Sequence, residues 1–186
     1  MMGRPEGLPY VLHVYSDPLQ EDAMSIEELI QEFEMEAKTT RRVLERVPSD
    51  QLGWKPHEKS MSLGRLAMHL ASAPGFISSW PVGDHFEFSG DPAPLPASTA
   101  EIVAAHDKGI AQVRENLGKI GNAGLGAGWK GVAGGKTIMN MPKAALLRAL
   151  LMNHTYHHRG QLSVYLRLLD VPVPSIYGPR ADERPS

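Results

Sequence analysis

Two histidines, His154 and His158, stand four residues apart inside the apolar stretch 144–169. That spacing sets two imidazoles on one helix face, one turn apart, where both can grip a single metal ion. On a wheel turning about 100° per residue, Leu147, Leu150, Leu151, Tyr165, Leu168 and Leu169 fall within about 60° of His154. His154 therefore faces the middle of the buried stripe. His158 lies near +40° and His157 near −60° on the same wheel. His158 is taken as the second ligand and His157 as its substitute. Buried polar groups must find partners; a metal is one answer and ordinary core hydrogen bonds are the other.

A third imidazole, His69, lies on a separate amphipathic segment, about 80° from the centre of its apolar stripe. At the rim of a core, beside a two-histidine helix, it is the natural third ligand. His106 sits on the apolar face of a further segment and reads first as a core histidine, second as an outside candidate for the site. His13, His57 and His85 fall in loops and receive no role. Gln161 and Tyr165 lie one and two turns further along the face of His154 and read equally as contacts to the ligands or a substrate and as core-boundary residues. Glu28, Glu32, Glu34 and Glu36 read as a mostly solvated face. Three neutral imidazoles without sulfur suit zinc or nickel, ahead of iron or manganese. Three protein ligands leave one coordination position open, which favours chemistry over scaffolding.

The elements that must position these residues are helical. Residues 25–47 carry Ile26, Leu29, Ile30, Phe33, Ala37, Thr40 and Leu44 at helical spacing. Ser25 and Glu28 make a capping box at their start, and Pro48 ends them. A second helix begins at the N-cap Ser62, carries Leu63, Leu66, Ala67, Leu70, Ala73 and Ile77, and stops near Trp80-Pro81. Residues 83–97 read as a loop. A third helix starts with Ser98 and Glu101 in a second capping box, carries Ile102, Ala105, Ile110, Val113 and Leu117, and stops near Gly121. Residues 129–139 form a small hairpin turning at Gly134-Gly135. A fourth helix has Pro142 at its first position and runs to about residue 169. These elements predict an all-α four-helix bundle with long crossover connections.

The chain has 186 residues, 42% of them apolar and 22% charged, with a net charge of −2. That suits one sizeable core and gives no basic stripe for nucleic acid. No apolar run reaches about 18 residues, so no membrane helix is expected. The N-terminus lacks the charged start and apolar run of a signal peptide. There is no cysteine, which excludes disulfides and thiolate ligands and fits the cytoplasm. Residues 1–24 read as an extension ahead of one domain at 25–186, with a brief strand at 10–15. Met24, directly before the first helix, is read as an alternative translational start, which N-terminal sequencing of the native protein checks.

Several segments carry a resemblance over about residues 24–183. They are Trp54-Lys55-Pro56-His57 with Ser60-Met61-Ser62-Leu63-Gly64, His69, the run His154-x-x-x-His158-Arg159-Gly160-Gln161, and Val171-Pro172-Val173-Pro174-Ser175-Ile176-Tyr177-Gly178-Pro179. In these the chain resembles the DinB/YfiT-like family of metal-dependent four-helix-bundle proteins. The resemblance implies a bundle with long crossovers, a divalent metal held by His69, His154 and His158, and a homodimer. Members with known activity include thiol-dependent S-transferases and an isomerase that uses low-molecular-weight thiols. The resemblance therefore implies a thiol-dependent enzyme, with a low-molecular-weight thiol as possible cofactor and a small molecule as substrate. The open metal position adds hydrolysis by metal-bound water, and the reading is a metal-dependent enzyme of the thiol S-transferase or hydrolase type. The alternative is a non-catalytic, stress-responsive dimeric metal-binding module. The chain departs from the family in residues 1–23, and at His106, where an aromatic or aliphatic residue is usual. Gly160, about 120° from His154 on the wheel, costs helix stability. It is expected at a close backbone contact with a loop or with a second chain, the latter favoured by the resemblance.

Overall fold

The computed structural model describes residues 24–88, 95–179 and 181–183. The strand expected at 10–15 lies outside them, as does the extension except for Met24. The order is α1 (Ile26–Leu44), α2 (Leu63–Ser79), β1 (His85–Glu87), α3 (Thr99–Gly124), β2 (Gly128–Ala133), β3 (Lys136–Pro142), α4 (Lys143–Leu146), a π-helical segment (Leu147–Asn153) and α5 (His154–Leu168).

Local chemistry explains most of the helix starts. Ser25 accepts from the Glu28 backbone N–H while the Glu28 carboxylate returns to the Ser25 N–H, so the expected capping box is formed. Ser62 accepts from the backbone N–H of Arg65. Ser98 accepts from that of Glu101, but the Glu101 carboxylate closes on the N–H of Ala97 rather than on the cap residue. Helix α3 continues to Gly124 beyond Gly121, whose φ of 59° and ψ of 172° interrupt the helical path.

Contacts between the helices give their directions. Ile26 donates to the Asn122 side chain at 2.7 Å and His106 Nε2 lies 3.0 Å from the Ala37 carbonyl, so α1 and α3 run antiparallel. Helices α2 and α3 are parallel. Gly109 packs on the Ala71 carbonyl, and Asn116 further along donates to Ser78 at 3.0 Å. Helix α5 returns antiparallel to α2 and parallel to α1. The parallel pair α2 and α3 therefore requires a long crossover through the linker between them, as expected there, whereas α3 and α5 are antiparallel. Leu44, Leu63, Leu66, Ile102, Leu117, Leu147, Leu151, Leu162 and Leu166 are fully buried between these helices, which supplies the apolar burial that holds a bundle together.

The protein is not all-α. A three-stranded sheet, ordered β1-β2-β3, adjoins the bundle. The hairpin expected at 129–139 is present, and its turn has positive φ at both Gly134 (55°) and Gly135 (72°). A two-residue turn twisted that way needs residues without a Cβ penalty. Residues 83–97, expected as a loop, contribute β1, which pairs parallel with β2 through His85↔Lys130, Phe86↔Gly131 and Glu87↔Val132. Three residues with no alternating pattern form a strand only because β2 offers them an edge. The sheet buries Trp129, whose indole N–H donates to the Trp80 carbonyl at 3.0 Å. Pro142 is also corrected: it ends β3 with ψ 147° as the residue before the helix, not as its first residue. Between Leu147 and Asn153 the helix widens to π geometry, ending at His154.

Candidate metal centre

Helix α2 presents His69; the first two turns of α5 present His154 and His158. The structure brings the three together across 85 residues of chain. The Nε2 atoms of His69 and His154 are 3.2 Å apart, and those of His158 and His154 are 3.0 Å apart. One ligand atom from each of the three lies within 4.8 Å of the others. Zinc–nitrogen bonds of about 2.0–2.1 Å in tetrahedral array put neighbouring nitrogens about 3.3 Å apart. The observed separations are close to that.

Gln161, one turn beyond His158, fixes the arrangement. Its side-chain carbonyl accepts from Nδ1 of His158 at 2.7 Å. Nδ1 therefore carries the proton, and Nε2 turns a lone pair toward His154. Nε2 of His154 faces both other rings, and a single N–H there serves only one of the two contacts well. A cation satisfies all three lone pairs, so the donor set fits a metal ion.

The surroundings keep the rings neutral. Burial, and then the neighbouring imidazoles His158, His69 and His157, push His154 down to about 4. Burial lowers His69, reinforced by His158. Burial also lowers His158, partly opposed by its bond to Gln161. Three imidazoles held neutral near pH 7 are ready to coordinate without first releasing protons.

The other candidates separate clearly. His157 is exposed, its ring 4.9 Å from that of His158 and outside the cluster. His106 is 2% exposed and satisfied by the Ala37 carbonyl, so it is a core histidine and no part of the site. Tyr165 does not serve the ligands. Its ring meets Trp54 edge-on at 5.6 Å and its hydroxyl approaches the Met61 carbonyl at 3.4 Å, tying the 54–61 loop to α5. Among the described residues Gly160 has nothing within 4 Å of where a Cβ would stand, so no described loop makes the expected close approach.

The reading of four glutamates as a solvated face needs correction at two of them. Glu32 accepts from Arg148 at 2.8 and 2.9 Å and from the Tyr156 hydroxyl at 2.8 Å. Glu36 pairs at 2.6 Å with Arg159, which is 1% exposed, and accepts from Tyr177 at 2.7 Å. Arg159 also donates to the Glu36 carbonyl at 3.1 Å and to Thr40 at 3.3 Å. This network fixes α5, and with it the ligand next to Arg159, against α1. The available signal was an arginine inside an apolar helix with two glutamates one turn apart on a facing helix.

Fold and site together define a helical bundle with a three-histidine cluster that could hold a metal ion. The DinB family model matches residues 129–185. An uncharacterized protein of Bacillus subtilis strain 168, YrdA, is 28% identical over 164 residues, covering 86% of this chain and 92% of its own. The crystal structure of a DinB-like protein from Bacillus cereus superposes with a TM-score of 0.66 at 27% identity, covering 82% of this chain and 98% of that one. A DinB-like protein from Bacillus subtilis shares the fold, with a TM-score of 0.61 at 18% identity, over 80% of this chain and 96% of its own. The resemblance in the sequence is thus borne out: the C-terminal part of the chain matches the DinB family model, and its fold is that of DinB-like proteins.

Proposed function

We propose that the protein is a metal-dependent enzyme holding one divalent cation at His69, His154 and His158. In this reading the open coordination position goes to a thiol or a water molecule, for thiol S-transfer or hydrolysis. The observation that carries the proposal is the convergence of three Nε2 atoms at metal-ligand spacing, with Gln161 fixing the tautomer of one of them. Imidazole donors favour zinc or nickel, ahead of iron or manganese. A bound ion supplies Lewis acidity, lowering the pKa of a coordinated thiol or water. The chain's part is to hold the donors neutral and to orient His158 through Gln161; among the described residues no fourth ligand joins the cluster.

One observation favours a second reading, a non-catalytic metal-binding module. Glu32 and Glu36 are taken up by Arg148 and Arg159. Among the described residues no carboxylate joins the histidine cluster, so none stands ready there as a general base. Turnover of an electrophile, with and without added bacterial low-molecular-weight thiols, separates the two readings. Metal content decides whether either stands. The protein as purified should carry about one divalent ion per chain. Chelation should remove it, His154→Ala should abolish binding, and His157→Ala should leave it in place. Full metal content in the His154→Ala variant overturns the proposal. The same reading includes a homodimer formed by outer helix faces, with Gly160 near the contact.

A further inference from the structure

Helix α2 continues past His69 with an exposed face that no helix among the described residues covers. Ser72 lies one turn beyond His69 and Phe76 two turns beyond, both on the side of α2 that carries His69. A groove of about 540 Å3 begins at Ser72 and runs along α2 past Phe76 to Ser79. Its opposite wall is the parallel helix α3, with Ala105, Lys108, Gln112, Glu115 and Asn116. Because α2 and α3 run in the same direction, the groove's near end lies beside the level of His69.

Phe76 is unusual for this surface. It is 55% exposed, yet its ring is held in place, edge-on to Trp80 at 5.5 Å and to Phe86 at 5.6 Å. Trp80 in turn stacks on Phe86 at 5.2 Å and parallel to the buried Trp129 at 6.3 Å. The sheet thus braces an aromatic surface that is still open to solvent. Helical side chains lean toward the N-terminus of their helix, so Phe76 leans toward His69. Seven residues at 1.5 Å rise separate the two Cα atoms by roughly 10 Å along the axis. The hydroxyls of Ser72 and Ser79 turn back to the Met68 and Phe76 carbonyls, so neither offers its proton to the groove. Lys108 makes no ion pair among the described residues.

We infer that this groove receives the apolar arm of the substrate, with Phe76 as the specificity-determining contact. The substrate class is a small molecule with a metal-binding oxygen or sulfur at one end and an aryl or branched alkyl arm. Lys108 and Glu115 on the flanking wall carry opposite charges, so the arm is taken as neutral. The inference rests on the metal-dependent reading above, because the histidine cluster anchors the head.

Hydroxamates test it, since they bind an open metal position whatever the natural reaction is. The zinc-loaded full chain is titrated calorimetrically with acetohydroxamate and with phenylbutyryl hydroxamate. The phenyl compound should bind about tenfold tighter or more, as burial of its ring and linker against Phe76 requires. Phe76→Ala should erase that preference and leave acetohydroxamate affinity and zinc content unchanged. Phe76→Leu should keep part of it, and Ile138→Ala, on the exposed edge of the sheet, should keep all of it. Equal affinities in the unaltered protein, or a preference that survives Phe76→Ala, overturn the groove while the metal site stands. Failure of both hydroxamates to bind the zinc-loaded protein overturns the open metal site, and the groove with it.

Discussion

Gln161 accepts a hydrogen bond from Nδ1 of His158 at 2.7 Å, and Nε2 of the same ring stands 3.0 Å from Nε2 of His154. One neutral amide therefore decides which nitrogen of His158 faces the cluster. A partner of this kind both orients a ligand and raises its basicity.

Replacing Gln161 by Leu should weaken metal affinity by about 10–100-fold, the usual cost of losing such a partner. Gln161→Glu keeps an acceptor in place and should keep most of the affinity. Competition against a chromophoric chelator reads both variants. Equal affinity in Gln161→Leu and the unaltered protein would show that His158 needs no orientation.

Stability of the metal-free protein should fall with acid, for a reason that can be traced group by group. His69, His106, His154 and His158 are all held below the ordinary value of 6.5, in each case chiefly by burial. The unfolded chain binds more protons than the folded one as pH drops past 6.5, so folding is increasingly opposed. Their contribution is complete above about pH 6.5 and is lost below it; for His154 the loss extends to about pH 4. Urea midpoints in chelator should fall from about pH 7.5 to about pH 5, and bound metal should steepen the fall because protons compete with it. Flat midpoints across that range contradict neutral, buried imidazoles.

Arg159 is 1% exposed and its partner Glu36 sits on α1. Arg159→Met strands a carboxylate in a largely buried place and should cost about 3–5 kcal/mol. Changing Glu36 to Gln as well should recover part of that loss, since the stranded charge is then gone. Chemical denaturation of the single and double variants measures both. A loss under about 1 kcal/mol in the single variant would reduce the pair to surface character.

Gly160 lies in the interior of α5, with open space among the described residues where a side chain would go. In isolated chains Gly160→Ala should raise stability by about 0.5–1 kcal/mol, through lower backbone entropy in the unfolded state. Gly160→Leu should lower the dimer fraction in light scattering if a second chain approaches there. A mass near that of one chain, 20.4 kDa, for the unaltered protein at micromolar concentration rules out the dimer. A dimer that persists unchanged in Gly160→Leu places the interface elsewhere.

What the sequence determined by itself is local. The caps at Ser25, Ser62 and Ser98, the apolar periodicity of the long helices and the turn at Gly134-Gly135 depend on neighbours within a few residues, so they were legible. The alignment of His154 with His158 follows from helix geometry alone, and the rim position of His69 from its place on a wheel. Long-range relations were decided only by the tertiary structure. That His69 meets the other two depends on α2 packing antiparallel to α5. No pattern within either helix encodes that contact; the family resemblance supplied it. Strand β1 exists because β2 provides a hydrogen-bonding edge, and Glu36 left the solvated face because Arg159 came to it from α5. His106 found its partner in a carbonyl of α1, where an apolar wheel could only say that it was buried. Periodicity reports which face a residue occupies; the partner across that face is set by loop lengths and packing between distant segments, which a local pattern does not carry.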